Sequence, residues 1–164
     1  MIVEQVAFEH PASVSLRQAQ RDELTIRYGT ADSEPGPAPT AADVTAFFVA
    51  FDDEGEAIGC GGLRAIDGSH GEIKRMFVRP ENRGTGVSTA VLATIEDHAR
   101  GLGWHRLVLE TGDRQPDAMR FYAREGYTPI PAFGHYVGVA ASRCYEKSLV
   151  AVDPASEVLC EGCE

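Results

Sequence analysis

The chain has 164 residues, 43% hydrophobic by composition, enough to fill one domain core and without a run near the ~18 apolar residues of a membrane span. Its formal net charge of −10 argues against nucleic acid or an anionic membrane as a partner. The first residues, Met1-Ile2-Val3-Glu4-Gln5, lack the basic start and apolar stretch of a signal peptide, so a cytoplasmic location is expected.

Residues 2–8 alternate loosely and predict a first strand, which His10-Pro11 breaks. Ser13 or Ser15 offers a cap for a helix running to about Tyr28, with Gly29 suited to its end. Residues 30–42 are rich in Pro, Ala, Asp and Gly, and Pro35, Pro37 and Pro39 exclude helix and central strand. Such a loop is either a connector or a flap over a substrate site. Residues 46–51 form an apolar strand run, 52–55 a turn, and 57–66 a second strand crowded with Gly59, Gly61 and Gly62. Glycine inside a strand marks a bulge or a close approach by another group. After the turn at 67–71, residues 72–79 continue an antiparallel meander until Pro80.

Arg83-Gly84-Thr85-Gly86-Val87-Ser88 follows, opening a helix to about Arg100. A glycine turn before a helix exposes free N–H groups at the positive end of the helix dipole, which seats an anion, most often phosphate. Lys74, Arg75, Arg79 and Arg83 cluster in or just before it. In the helix Val87, Val91, Ile95, Ala99 and Leu102 share one face with Leu92 beside them, and Glu96 and Arg100 are expected as an i, i+4 pair on the wet face. Residues 107–109 form a core strand, so strand, turn, helix and strand make a βαβ unit with a parallel pair. Pro116 starts a second helix that Gly126 stops; short strands at 127–130 and 142–150 close the domain. One domain is expected over 1–150, with 151–164 as a tail.

Cys60 and Cys144 fit as small core residues, and the single C-x-x-C of Cys160 and Cys163 is weak support for zinc. The five histidines have no metal-binding spacing, so no metal is expected. A Rossmann enzyme is disfavoured because the glycine motif lacks its third glycine and only one βαβ unit is present; the absent G-K-[ST] excludes a P-loop.

Four features together resemble the GNAT superfamily of acyl-CoA-dependent N-acetyltransferases. They are the R-x-x-G-x-G/A-type turn (Arg83-Gly84-Thr85-Gly86-Val87-Ser88), the helix and strand after it, the element Gln115-Pro116-Asp117-Ala118-Met119-Arg120-Phe121-Tyr122-Ala123-Arg124-Glu125-Gly126-Tyr127, and the last strand with Cys144-Tyr145-Glu146-Lys147. The match runs from about Phe47 to Leu149; Ser88 departs from the usual last Gly/Ala, and Gln115 stands where Asn is common. The resemblance implies an α/β fold of α+β type, with a mixed, mainly antiparallel sheet of six to seven strands and a splayed central parallel pair. It implies acetyl-CoA as co-substrate. The backbone of Met76, Phe77 and Val78 would meet the pantetheine arm, the N–H groups of Gly84, Thr85, Gly86, Val87 and Ser88 would hold the pyrophosphate with Arg83, and Gln115 would touch the arm. A primary amine of a small molecule, or of a protein or peptide, would attack the thioester directly through a tetrahedral intermediate, with a backbone N–H near Phe77 for the oxyanion. Glu72, through a water, is the first candidate base and otherwise a surface residue paired with Lys74; Glu110 is the second candidate. Tyr122 is the candidate acid, while Tyr127 and His98 are expected to be structural. His135 and Tyr136 fall where acceptor-binding residues often lie. A cationic acceptor would suit the acidic protein, and a homodimer is allowed. The alternative is a catalytically silent acyl-CoA-binding or regulatory module on the same fold.

Overall fold

A computed structural model describes residues 1–30 and 33–151. In chain order the elements are β1 (Ile2–Val6), α1 (Pro11–Tyr28), β2 (Val44–Phe51), β3 (Ala57–Ala65), β4 (His70–Val78), α2 (Val87–Gly101), β5 (Arg106–Gly112), α3 (Pro116–Arg124), β6 (Thr128–Ile130) and β7 (Ser142–Ser148). The strands form one sheet in the order β1-β2-β3-β4-β5-β7-β6. Every neighbouring pair is antiparallel except β4 with β5, as the resemblance implied. Cys160 and Cys163 lie outside the described residues.

The sheet is covered on both faces, which explains why β2 reads as a continuous apolar run. Phe47 and Val49 join Phe8 and Leu16 under α1, while Ala46, Phe48 and Ala50 join Val91, Leu92 and Ile95 of α2 on the other face. Each fully buried Phe or Leu of these layers contributes roughly 1.5–3 kcal/mol. The glycines of β3 admit α2 to close range: a Cβ on Gly61 would sit 2.8 Å from Ile95 and 2.4 Å from the Met76 sulfur.

Local signals start and stop α1, with one change from expectation. The cap is His10, whose Nδ1 accepts from the Ala12 N–H at 3.1 Å, with Pro11 following. Ser13 is buried instead and its hydroxyl donates to the Phe8 carbonyl at 2.7 Å. Gly29 ends the helix in the left-handed region at φ 74°. In α2 the expected apolar face is buried up to Ala99, but Leu102 lies past the last turn and is exposed. Glu96 pairs with Arg100 at 3.5 Å as expected, but not on the wet face. It is buried, accepting from the Tyr127 hydroxyl at 3.1 Å and from Lys147 Nζ at 2.9 Å, because β7 and the chain after α3 close over that side of α2.

The central feature is a divergence of two strands. β4 pairs with β5 only from His70 to Ile73 against Arg106 to Leu109. Beyond that point β5 continues with β7 as far as Gly112 opposite Ser142, while β4 continues with β3. The pairing of β4 with β3 jumps from Gly62 opposite Lys74 to Cys60 opposite Phe77, so Arg75 and Met76 together face Gly61. This bulge holds Arg75 at φ 60°, the one non-glycine residue in that region among the described residues. Bulges bend a strand and re-aim its side chains, and here the bend sits at the mouth of the gap.

Candidate active site

The gap between β4 and β5 carries a cleft with two arms. One arm runs between α1 and α3 to the glycine turn, lined by Met76, Phe77, Val78, Arg83, Gly84, Gly86, Ser88, Gln115 and Tyr122. The other runs the opposite way, lined by Lys74, Arg75, Glu110, Thr111, Gly112 and Ser142, with Ser33, Glu34 and Pro35 of the proline-rich loop. Tyr122, Gln115, Met76, Gln20, Leu24 and Ala118 line both arms, so they mark the junction.

The first arm is built from backbone. Gly84 and Gly86 stand at φ 75° and 89°, and Gly86 caps α2. No hydrogen bond joins the N–H groups of residues 84–88 to an acceptor among the described residues, which leaves five donors unpaired at the start of a 15-residue helix. Thr85 steadies the turn by donating its hydroxyl to the Asn82 carbonyl at 2.6 Å. Val87 is buried, its side chain against Gly59. Deeper in, Gln20 donates to the Met76 carbonyl at 2.9 Å and Arg83 Nε to the Val78 carbonyl at 3.0 Å. Groups of alternate residues point the same way along a strand, so Met76 and Val78 offer their N–H and C=O to the gap. The Arg79 N–H, bonded to Ile58 on β3, fixes the opposite direction for Phe77. The cleft-facing N–H groups near Phe77 are therefore those of Met76 and Val78.

The four cations expected together divide. Only Arg83 lines the first arm, where its guanidinium is 2.5 Å from Glu23 of α1. Burial pushes the Glu23 carboxyl up, but Arg83 and Arg27 outweigh it and leave it below its usual range. Arg79 is spent on the Ala57 carbonyl and Ser15. Lys74 and Arg75 belong to the second arm, because the bulge turns β4 between them and the glycine turn. Arg27, Arg120 and Arg124 supply the remaining positive charge of the first arm, against Glu23 and Asp117. Arg120 and Arg124 sit one turn apart on α3, a spacing visible in the sequence but overlooked beside the stronger glycine signal.

At the junction Tyr122 is 6% exposed, stacked edge-on to Tyr127 and tilted against Phe121. Its hydroxyl has no protein partner among the described residues, and burial pushes its pKa well above the ordinary phenol value. Tyr122 thus stays protonated at neutral pH. Gln115 caps α3 by position, without a side-chain cap bond, and its amide is left to the cleft.

Glu110 lies at the diverging end of β5, half-buried; burial pushes its carboxyl up, and nearby Lys74 pulls it down. Glu72 is 4% exposed and lines neither arm. Its Oε2 lies 3.0 Å from Arg64, and its Oε1 accepts from the Tyr136 hydroxyl at 2.6 Å and sits 3.5 Å from Lys74 Nζ. It is part of a buried polar network. Tyr136 is buried in the same network, receiving Lys74 Nζ at 2.9 Å, and its phenol is pushed up by burial and then by Glu72. His135 is exposed and packs against Gly36 of the loop. Glu34, on that loop, pairs with both Lys74 and Arg75; a sequence without an alignment carries no periodicity in such a loop to reveal it. Among the described residues no cluster of three His, Cys, Asp or Glu could hold a metal ion, and no helix is long and apolar enough to cross a membrane.

This arrangement has counterparts. The sequence model of the acetyltransferase (GNAT) family matches residues 14–127. An IAA acetyltransferase of Azospirillum brasilense is 41% identical over 97 residues, 58% of this chain and 63% of that protein. The aminoalkylphosphonate N-acetyltransferase of Salmonella typhimurium is 42% identical over 57 residues, 35% of this chain and 37% of that protein. The chain thus aligns with less than two thirds of the length of either relative. A solved structure of an acyl-CoA N-acyltransferase, so assigned provisionally, from Klebsiella pneumoniae superposes with a TM-score of 0.78 at 28% identity, covering 91% of this chain and 97% of that one.

Proposed function

This chain belongs to the acetyltransferase (GNAT) family, and on that premise we propose that it transfers the acetyl group of acetyl-CoA to a primary amine of a small molecule. The observation that carries this reading is the two-armed cleft with Tyr122 at its junction and Glu110 beyond it. The residues of the first arm fit acyl-CoA: five unpaired N–H groups at a helix start suit a pyrophosphate, and the strand edge at Met76 and Val78 suits the amide-bearing arm as an added strand. Gln20 and Arg83 hold the two carbonyls that the arm would take over.

Acetyl-CoA supplies a thioester carbonyl. The residues supply proton transfers and a polar edge. We assign the base to Glu110, because it lines the cleft whereas Glu72 is enclosed among Arg64, Lys74 and Tyr136. Glu110 takes a proton from the ammonium form of the acceptor, leaving a neutral amine. The amine nitrogen bonds to the acetyl carbon, and the carbonyl oxygen gains charge that the N–H of Met76 or Val78 can stabilise. The C–S bond then breaks: Tyr122 gives its proton to the departing thiolate and is reprotonated as the attacking nitrogen, cationic in the intermediate, sheds its second proton, while Glu110 returns its proton to solvent. Glu72 acts as a positioning residue that anchors Lys74 and Tyr136 beneath the second arm.

The test is thiol release from acetyl-CoA by the purified chain against a panel of primary amines, with product mass measured. An N-acetylated amine formed in step with thiol is expected. Tight acetyl-CoA binding with no turnover on any amine would replace this reading with the silent binding module.

A further inference from the structure

The second arm holds an internal carboxylate that nothing in acetyl transfer requires. Glu34 reaches over from the loop and places one oxygen on Lys74 Nζ and the other 3.0 Å from the Arg75 guanidinium. Both cations are enclosed: Lys74 is 6% exposed and Arg75 14%. Arg75 is held at φ 60° by the bulge, a backbone conformation that non-glycine residues rarely adopt, and its side chain lines the arm. Arg75 has no other ion-pair partner among the described residues.

Glu72 engages Arg64 and lies 3.5 Å from Lys74, whereas Arg75 pairs with Glu34 alone among the described residues. Withdrawing Glu34 therefore leaves the enclosed Arg75 guanidinium without an ion-pair partner, so the position favours an anion. Across the gap, β5 presents the opposite sign in Glu110. An acceptor seated here meets a carboxylate on one wall and two cations on the other.

We propose that the acceptor is an amine carrying an acidic group, an amino carboxylate or an aminoalkylphosphonate, whose anion replaces the Glu34 carboxylate between Lys74 and Arg75 while its amine faces Glu110. This rests on the acetyl-transfer reading above and runs against the expectation that an acidic protein favours a purely cationic amine. The loop that carries Glu34 closes this arm from α1, and its Gly36 packs on His135, so it belongs to the acceptor wall.

The full chain is assayed by thiol release with amino carboxylates, aminoalkylphosphonates and the neutral amides of the same carboxylates, at matched distance between nitrogen and acid. Acids are expected to exceed their amides in kcat/KM by about 10- to 100-fold, the worth of charge-assisted bonds to two cations. The stronger of the two acid classes names the natural anion. Arg75→Asn tolerates the left-handed backbone but lacks the guanidinium; it is expected to raise KM for acids at least about 10-fold more than KM for amides. Glu34→Gln removes the internal competitor and is expected to lower KM for acids by about 3- to 10-fold. Amides used as well as acids, or a Glu34→Gln chain with raised KM for acids, overturns the proposal. If no amine is turned over, the acetyl-transfer reading fails by itself, and binding decides the site. A rise in melting temperature with acids and not amides, abolished in Arg75→Asn, then upholds it; no such rise overturns it.

Discussion

In the proposed mechanism Glu110 and Tyr122 are the two side chains on which the chemistry turns, and burial acts on them in complementary ways. Burial raises the Glu110 carboxyl above its ordinary 4.5, which makes it a stronger base once ionised. Activity should therefore fall as pH drops through this raised pKa, and Glu110→Gln should lose that acid limb together with about 10²- to 10⁴-fold in kcat. Stability carries the opposite sign. The folded chain binds this proton more tightly than the unfolded chain, so stability from this group is present at low pH and lost as pH rises through the raised value. Glu110→Gln should thus melt higher than wild type at pH 8, with the gap closing near pH 4; a lower melting point at pH 8 would contradict the assigned environment. Burial also raises Tyr122, keeping its proton available. Tyr122→Phe should lower kcat by about 10²- to 10³-fold with KM for acetyl-CoA nearly unchanged in steady-state kinetics. Both residues were visible in the sequence as candidates, but choosing between Glu72 and Glu110 was not. That choice depends on Tyr136 and Arg64, which lie 64 and 8 positions from Glu72 and meet it only in the folded sheet.

Elements with a strong period were legible in advance. The 3.6-residue spacing of α2 and the glycine turn before it follow directly from apolar positions and backbone permissiveness. The bulge in β4 was not, because a register jump leaves no mark on hydrophobic alternation, and so Lys74 and Arg75 were grouped with the phosphate-side cations. Glu96 was misread for a related reason: its partner Lys147 is 51 residues away. At the glycine turn, Gly86 stands at φ 89° with open space where a Cβ would go. Gly86→Ala therefore meets a backbone penalty of about 1–2 kcal/mol without a clash. Differential scanning calorimetry should show a melting point lower by several degrees. KM for acetyl-CoA should rise more than kcat falls, since the turn holds the handle of the substrate and not its reacting end.

At the scale of the whole molecule, the Glu96 cluster ties α2 to β7 and to the chain leaving α3. Glu96→Ala strands the Lys147 ammonium and the Tyr127 hydroxyl, and is expected to cost about 1–3 kcal/mol in urea unfolding. The acetyl-CoA KM of the variant should remain close to wild type, because none of the three residues lines the cleft. The net charge of −10 suits a cationic acceptor, whereas the proposal above rests on the two cations, Lys74 and Arg75, that line the second arm. Composition reports the average field, and a binding arm is governed by the few groups that enclose it.

The hydrogen bonds from Gln20 and Arg83 to the Met76 and Val78 carbonyls have a consequence for solubility. A sheet that opens in its middle creates two interior strand edges, and bare edges recruit strands from other molecules. These side chains blunt the β4 edge whenever no substrate lies along it. Gln20→Ala should therefore aggregate more readily on warming, with light scattering restored toward wild type by saturating CoA. On that view the chain guards against self-association with the same edge that, in the proposed function, takes the pantetheine arm.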